Sequence, residues 1–253
     1  MTKHIALKRT IQTALIIAMA LVLRQFSYMV PMGGAGGLRI SPSIFISRIP
    51  SVIFGPLYGA ITSGLIDVIG LIIRPEGAFI PLLTVTAVCG GALAGFLWRF
   101  VDRIDIRTLK RCMISLFIAL GIVGMSCHAF TIFFPHSYIG SFLTSLKKIG
   151  LWTVGFEVAA AGGLLLMLIE YLIGRRRNSD GMFIKLFAAM FVANILVTTV
   201  NTFVLMAFTP SLSVLGFWVF YVPRFIEEVI STILQCFCMN YLIKLYNNTL
   251  KNC

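Results

Sequence analysis

Charge is scarce in this chain. Only 12% of its 253 residues are charged, and just nine are acidic, where about a quarter charged is usual for a soluble domain. Hydrophobic residues make up 58%, and the mean hydropathy is +0.95. A water-soluble globule is excluded, and so is a disordered chain, which requires low hydrophobicity with high net charge. Histidine is nearly absent: His4, His128 and His136 are scattered, with no partner at catalytic spacing. There is no G-x-x-x-x-G-K-[ST] phosphate loop, no H-E-x-x-H and no G-x-S-x-G. The six cysteines (89, 112, 127, 236, 238, 253) have no metal-ligand spacing. Cys236 and Cys238 would sit on different faces of a helix, which suits neither zinc nor a disulfide. They read as small apolar residues of lipid-packed helices. Nothing here reads as an enzyme, and neither a metal nor a cofactor is expected.

What the chain has in abundance is long apolar runs. Eight are candidate membrane spans, at 8–31, 40–54, 56–74, 79–101, 112–135, 149–174, 183–209 and 214–246. They leave little room for a soluble domain, so one membrane domain over 1–253 is expected. Phe54-Gly55-Pro56 separates the second and third runs with a helix stop and a helix start. The N-terminal run follows Lys3, Lys8 and Arg9 as a signal peptide's would. No A-x-A-like site follows it, and it is long enough to span, so it reads as a retained helix.

The excess of base over acid, net +12, would suggest nucleic acid in a soluble protein. Here it reports topology first. With the N-terminus inside, the inner segments carry Lys3, Lys8, Arg9, then Arg99, Arg103, Arg107, Lys110, Arg111, then Arg175, Arg176, Arg177, Lys185, and finally Lys244 and Lys251. The outer segments carry only Arg39, Arg74, Lys147 and Lys148. That asymmetry predicts both ends in the cytoplasm and no nucleic-acid partner.

Arg24, Arg48 and Arg224 remain, and all three fall inside expected spans. An ionisable group at that depth costs from ~3 to over ~10 kcal/mol, so each marks a candidate site. Counting the 1.5 Å rise per residue, Arg24 lies roughly 24 Å up the first span, Arg48 roughly 12 Å and Arg224 roughly 15 Å below the outer face. Arg39 stands at the outer mouth, beside the loop Met32-Gly33-Gly34-Ala35-Gly36-Gly37. Four guanidiniums in one layer suit a carboxylate or phosphate ligand, and a glycine-rich loop above them could act as a lid. Two structural alternatives stand beside this. Arg224 has Glu227 and Glu228 at i+3 and i+4, the spacing of an intrahelical ion pair, and Arg48 could pair with Asp67 or Glu157. On the seventh run, Asn194, Thr198, Asn201 and Thr202 share one helical face; they serve either interhelical hydrogen bonding or a ligand. Ala14 and Ala18 form a small-xxx-small pair on the first run, on a face about 80–120° from Arg24.

Several segments, in order, resemble the folate-type S components, the substrate-binding membrane subunits of energy-coupling factor (ECF) vitamin transporters. They are Ala14-Leu-Ile-Ile-Ala18 with Leu23-Arg24-Gln25-Phe26, Arg39-Ile40-Ser41, Phe54-Gly55-Pro56-Leu57-Tyr58-Gly59-Ala60 and Asp67-Val68-Ile69-Gly70. Gly77-Ala78-Phe79-Ile80-Pro81 and Val222-Pro223-Arg224-Phe225 fit the same pattern. The likeness covers about 8–101 and 183–246. It implies an all-α integral membrane protein that captures one vitamin near the outer face and has no ATPase of its own. Such a protein docks on a transmembrane coupling subunit carried by two ATPase subunits, and its toppling delivers the vitamin inward. By position, Arg24 and Arg224 match arginines near the ligand, and Ala14 and Ala18 match the docking face. Arg39, Arg48 and Asn201 complete the expected ligand set. Folate is the first choice of ligand; pantothenate, cobalamin or a queuosine precursor are the alternatives. An intramembrane enzyme or sensor using Asp67, Glu157 and Glu227 is the alternative from another class. The chain departs from the pattern twice. A two-helix hairpin at about 104–181 is inserted into the six-helix core, and Arg48 stands where the family's second helix is apolar or small.

Overall fold

The computed structural model describes residues 2–32, 35–75, 79–134, 136, 154–177, 181–209 and 216–251. In chain order these form α1 (Thr2–Arg24), β1 (Tyr28–Met32), β2 (Ala35–Ile40), α2 (Ile44–Ser47), α3 (Ile49–Ile53), α4 (Pro56–Ile73), α5 (Pro81–Val101), α6 (Ile106–Phe133), α7 (Gly155–Arg177), α8 (Met182–Phe208) and α9 (Phe217–Lys251). Seven of them, α1 and α4 to α9, are long and apolar enough to cross a membrane. Their outward faces carry large apolar side chains such as Leu15, Ile72, Phe96, Ile122 and Leu165. In water such a surface would be an aggregation hazard; against lipid it is the expected exterior. The protein is an all-α protein with the character of a multi-pass membrane protein.

The expected second span, 40–54, is not one helix. It is α2 and α3, joined at Arg48. The cause is Pro50, which has no N–H to give to the carbonyl of Ile46; the Arg48 N–H turns to that carbonyl instead. Ten residues, Ile44–Ile53, rise only ~15 Å as helix. The segment nevertheless runs from one end of the molecule to the other. It leaves the β1–β2 hairpin near the C-terminal ends of α1 and α4, where Arg74 Nη1 donates to the Gln25 carbonyl at 2.5 Å. At its far end, Phe54 meets the ring of Tyr246, and Gly55 lies under the guanidinium of Arg99, at the end of α5. Tyr246 in turn donates to Gln12 Oε1 at 2.9 Å, so the first half of α1 and the end of α9 share that same end. Gly55 adopts φ +107, open to glycine because a Cβ is disfavoured there, and Pro56 then starts α4 with its φ already helical.

The hairpin of β1 and β2 stands where an open glycine-rich loop was expected. Its strands are antiparallel, with Met29 opposite Arg39; Gly33 and Gly34 of that loop lie outside the described residues, as do the side chains of the strand residues from Met29 to Ile40.

Packing neighbours run α1, α4, α5, α8, α9, with α2 and α3 between α1, α4, α5 and α9. The closest seam is α4 against α5. A Cβ on Gly59 would sit 2.5 Å from the Gly91 carbonyl oxygen, and one on Gly91 would meet the Gly59 carbonyl. These glycines let the two backbones touch, as small residues do in membrane bundles. The hairpin of α6 and α7, expected at about 104–181, packs on itself and against α8 and α9. Phe117 of α6 lies 5.3 Å from the Phe187 ring of α8, over Gly163 of α7, where a Cβ would collide with it.

Candidate functional site

The break between α2 and α3 aims Arg48 into the bundle. Its Nη1 donates to Ser63 Oγ on α4 at 3.0 Å. Its guanidinium lies against Gly90 of α5, where an added Cβ would be 3.1 Å from Nη2. Gly90 is nine residues into α5, ~14 Å along it, near the middle of the bundle. Any residue larger than glycine at 90 would take that space.

The counter-charge comes from α9. Glu228 accepts a hydrogen bond from the Thr198 hydroxyl of α8 at 2.6 Å, and both Arg48 and Arg224 act on it electrostatically. Arg224 also feels Glu227, one turn along its own helix, and lies over the Phe220 ring at 5.1 Å. Glu227 accepts from the Ser231 hydroxyl at 2.9 Å. Glu228 is thus within electrostatic reach of two guanidiniums from different segments. Below it, Asn194 Nδ2 donates to Thr232 Oγ1 and to Gln235 Oε1, both at 3.0 Å. Gln235 Nε2 then reaches the Ile44 carbonyl in α2 at 2.9 Å. That carbonyl, at the first residue of α2, also accepts from the Ser47 hydroxyl at 3.4 Å; through it the amide chain pins the broken crossing to α8 and α9.

A second polar group lies one turn along α4. Arg24 is buried, and its Nη1 donates to the Ile66 carbonyl at 2.7 Å and pairs with Asp67 Oδ1 at 3.7 Å. Asp67 also accepts from the Thr84 hydroxyl of α5 at 2.8 Å. Ser63 and Asp67 are four residues apart on α4, ~6 Å of rise, which sets the spacing of the Arg48 and Arg24 contacts along that helix. Asn201 accepts from the Thr86 hydroxyl in a short contact between α8 and α5. Asn194, Thr198 and Thr202 are buried on the shared face that their spacing predicts.

Two pairings differ from expectation. Arg48 meets Ser63 and faces Glu228, whereas Asp67 belongs to Arg24 because α1 packs directly on α4. Glu157 accepts instead from His128 Nδ1 of α6 at 2.8 Å, within the hairpin of α6 and α7. Arg39 is on β2, and its side chain lies outside the described residues. Ser63, Gly90 and Gln235 were not singled out from sequence, and Glu228 was named only as an intrahelical partner of Arg224. For Glu228 the signal was present: a second acid in an apolar run, four residues from Arg224.

The two faces of α1 separate as expected. Thr13, Ile17, Ala20 and Arg24 face the bundle, while Ala14 and Ala18 are exposed among Leu7, Ile11, Leu15 and Val22. Among the described residues, no group of three or more His, Cys, Asp or Glu side chains is placed to hold a metal ion. Comparison with known proteins yields no matching family model, no matching curated protein and no matching solved structure.

Proposed function

We propose that this chain is the substrate-binding subunit of a membrane importer of the ECF S-component type. It would capture a carboxylate-bearing vitamin, folate first among them, for uptake driven by partner ATPases. The observation that carries this reading is the broken crossing at Arg48. Interrupted helices are tolerated inside a membrane where they are buried in protein or line a cavity, and in transporters they build the substrate site near the midplane. Here the interruption aims a guanidinium at Ser63 of α4 and Gly90 of α5, within electrostatic reach of Glu228 of α9. Guanidiniums match carboxylates bidentately, so Arg48 and Arg224 are the groups assigned to the ligand's carboxylate. Arg24 and Asn201 border that layer, and Arg39 is assigned to its outer mouth.

Topology and docking follow the same reading. The charge asymmetry supports a cell-membrane protein with both ends in the cytoplasm. The exposed Ala14 and Ala18 face is the surface assigned to the transmembrane coupling subunit, since small residues permit close helix approach. The chain would carry the ligand but hydrolyse nothing.

The test is equilibrium binding of folate, with pantothenate, cobalamin and a queuosine precursor in parallel, to the purified full chain in detergent. One of them should bind one-to-one and emerge chemically unchanged. Arg48→Gln and Arg224→Gln should each weaken that binding about 30-fold, the ~2 kcal/mol that follows loss of one partner from a buried charge contact. Conversion of the ligand to a product would favour the intramembrane enzyme, with Asp67, Glu157 and Glu227 as its carboxylates. Failure of all four to bind would remove the vitamin assignment.

A further inference from the structure

Where α5 gives way to α6, the surface is densely cationic. Arg103, Arg107, Lys110 and Arg111 are exposed there, with Arg99 one turn earlier on α5. Of the two acids in this stretch, Asp102 is held by Lys185 of α8, whose Nζ is 2.8 Å from Oδ1. Only Asp105 then opposes five basic residues. A solvated patch would need no particular alignment with the rest of the helix, but this one has it. Arg107, Lys110 and Arg111 lie at i, i+3 and i+4, and Ile114, Ile118, Ile122 and Met125 continue along that outward side of α6. On the neighbouring end of α5, Phe96 and Phe100 are exposed too. One continuous face therefore changes from guanidinium and ammonium to hydrocarbon within a single turn. A water-filled or purely protein environment would match one half of that face and not the other. A phospholipid matches both, with its acyl chain along the isoleucines and its phosphate among the cations.

We infer that this end of α5 and α6 is a binding surface for anionic lipid headgroups, phosphatidylglycerol being the probe chemistry. The inference requires only that α6 faces lipid and does not depend on the ligand chosen for the interior site. Its spread of cations, rather than one buried pocket, makes the attraction additive and salt-sensitive. Each basic residue near such a headgroup layer contributes ~1 kcal/mol, about fivefold in affinity, and the attraction weakens as salt shortens the Debye length.

Native mass spectrometry of the full chain in mixed micelles tests it, counting bound phosphatidylglycerol against phosphatidylcholine. The wild type should retain phosphatidylglycerol at least tenfold more strongly, and the preference should shrink with added salt. The R107Q/K110Q/R111Q variant should lose most of it, about fivefold per cation, while unfolding at the wild-type temperature in phosphatidylcholine alone. K8Q/R9Q, which removes two exposed cations from the start of α1, should leave it intact. An equal loss in K8Q/R9Q would reduce the surface to diffuse attraction and overturn the assignment. Displacement by inorganic phosphate at the same concentration would also overturn it, as a bare anion site. Should the triple variant fail to fold, R107Q and R111Q singly must each still lower the preference; no change in either would contradict the inference.

Discussion

Arg48, Arg224 and Glu228 are linked electrostatically. Glu228 feels both guanidiniums, and Arg24 is matched by Asp67 one turn away. With Glu227 included, the three interior arginines face three interior acids, so this layer is not an open positive well. A ligand carboxylate would have to compete with Glu228 for the two arginines. This gives opposite signs for two neighbouring substitutions. Glu228→Gln should tighten binding of a carboxylate-bearing ligand, by about tenfold if ~1.4 kcal/mol of competition is relieved. Arg48→Gln should weaken it. Titration calorimetry on both variants separates these outcomes, and weaker binding in Glu228→Gln would mean that the ligand offers Glu228 a donor. Removing one member of a buried pair also destabilises the fold, by ~3 kcal/mol or more for Arg48→Ala. Restoring balance with Glu228→Gln in the same chain should recover part of the thermal stability. The arginines were readable as candidates because charge is rare in these runs. Their partners were less so: Arg224 to Glu228 is local, but Arg48 to Ser63 and Thr198 to Glu228 depend on which helices meet, and no one-dimensional spacing encodes that.

At the scale of elements, the broken crossing is the decisive feature and the one least visible beforehand. Hydropathy counts apolar residues, and 40–54 is apolar; it does not register that Pro50 withholds one hydrogen bond and turns Arg48 inward. The long helices were easier, since their length and apolarity exceed any competing pattern, and Gly55-Pro56 marked the start of α4 correctly. The β hairpin was not foreseen, because its glycines read as loop. The crossing depends on its clamp. Gln235→Leu would remove one of the Ile44 carbonyl's donors, leaving it the Ser47 hydroxyl, and would leave Asn194 with one partner fewer, a loss of ~1 kcal/mol per hydrogen bond removed. Thermal unfolding in detergent should register that loss, and ligand affinity should fall with it because Arg48 is aimed by this segment. A variant with lowered stability but wild-type affinity would show that the clamp does not position Arg48. Gly91→Val belongs here too: its side chain has no room against the Gly59 carbonyl, so α4 and α5 must separate, and Ser63 and Gly90 move apart with them.

For the whole molecule, the proposed function assigns different tasks to the exposed and buried faces of α1. The Arg24 face joins the bundle, and the Ala14 and Ala18 face looks outward. Ala14→Trp should therefore leave ligand affinity within twofold while abolishing uptake into cells that contain the partner subunits, since it blocks only close helix approach. Reduced affinity in that variant would contradict the division. The hairpin of α6 and α7 is integral to the packing, through Phe117 on α8 and through Glu170, which accepts from Asn240 of α9 at 3.3 Å and lies 3.6 Å from Lys244.

The most direct measurement is the small-molecule content of the full chain purified from cells, wild type against Arg48→Ala, determined by mass spectrometry after denaturation. One carboxylate-bearing compound is expected at about one per wild-type chain, absent from Arg48→Ala yet retained by Ala14→Trp. An equal amount of the compound in Arg48→Ala would contradict an interior site built on the broken crossing.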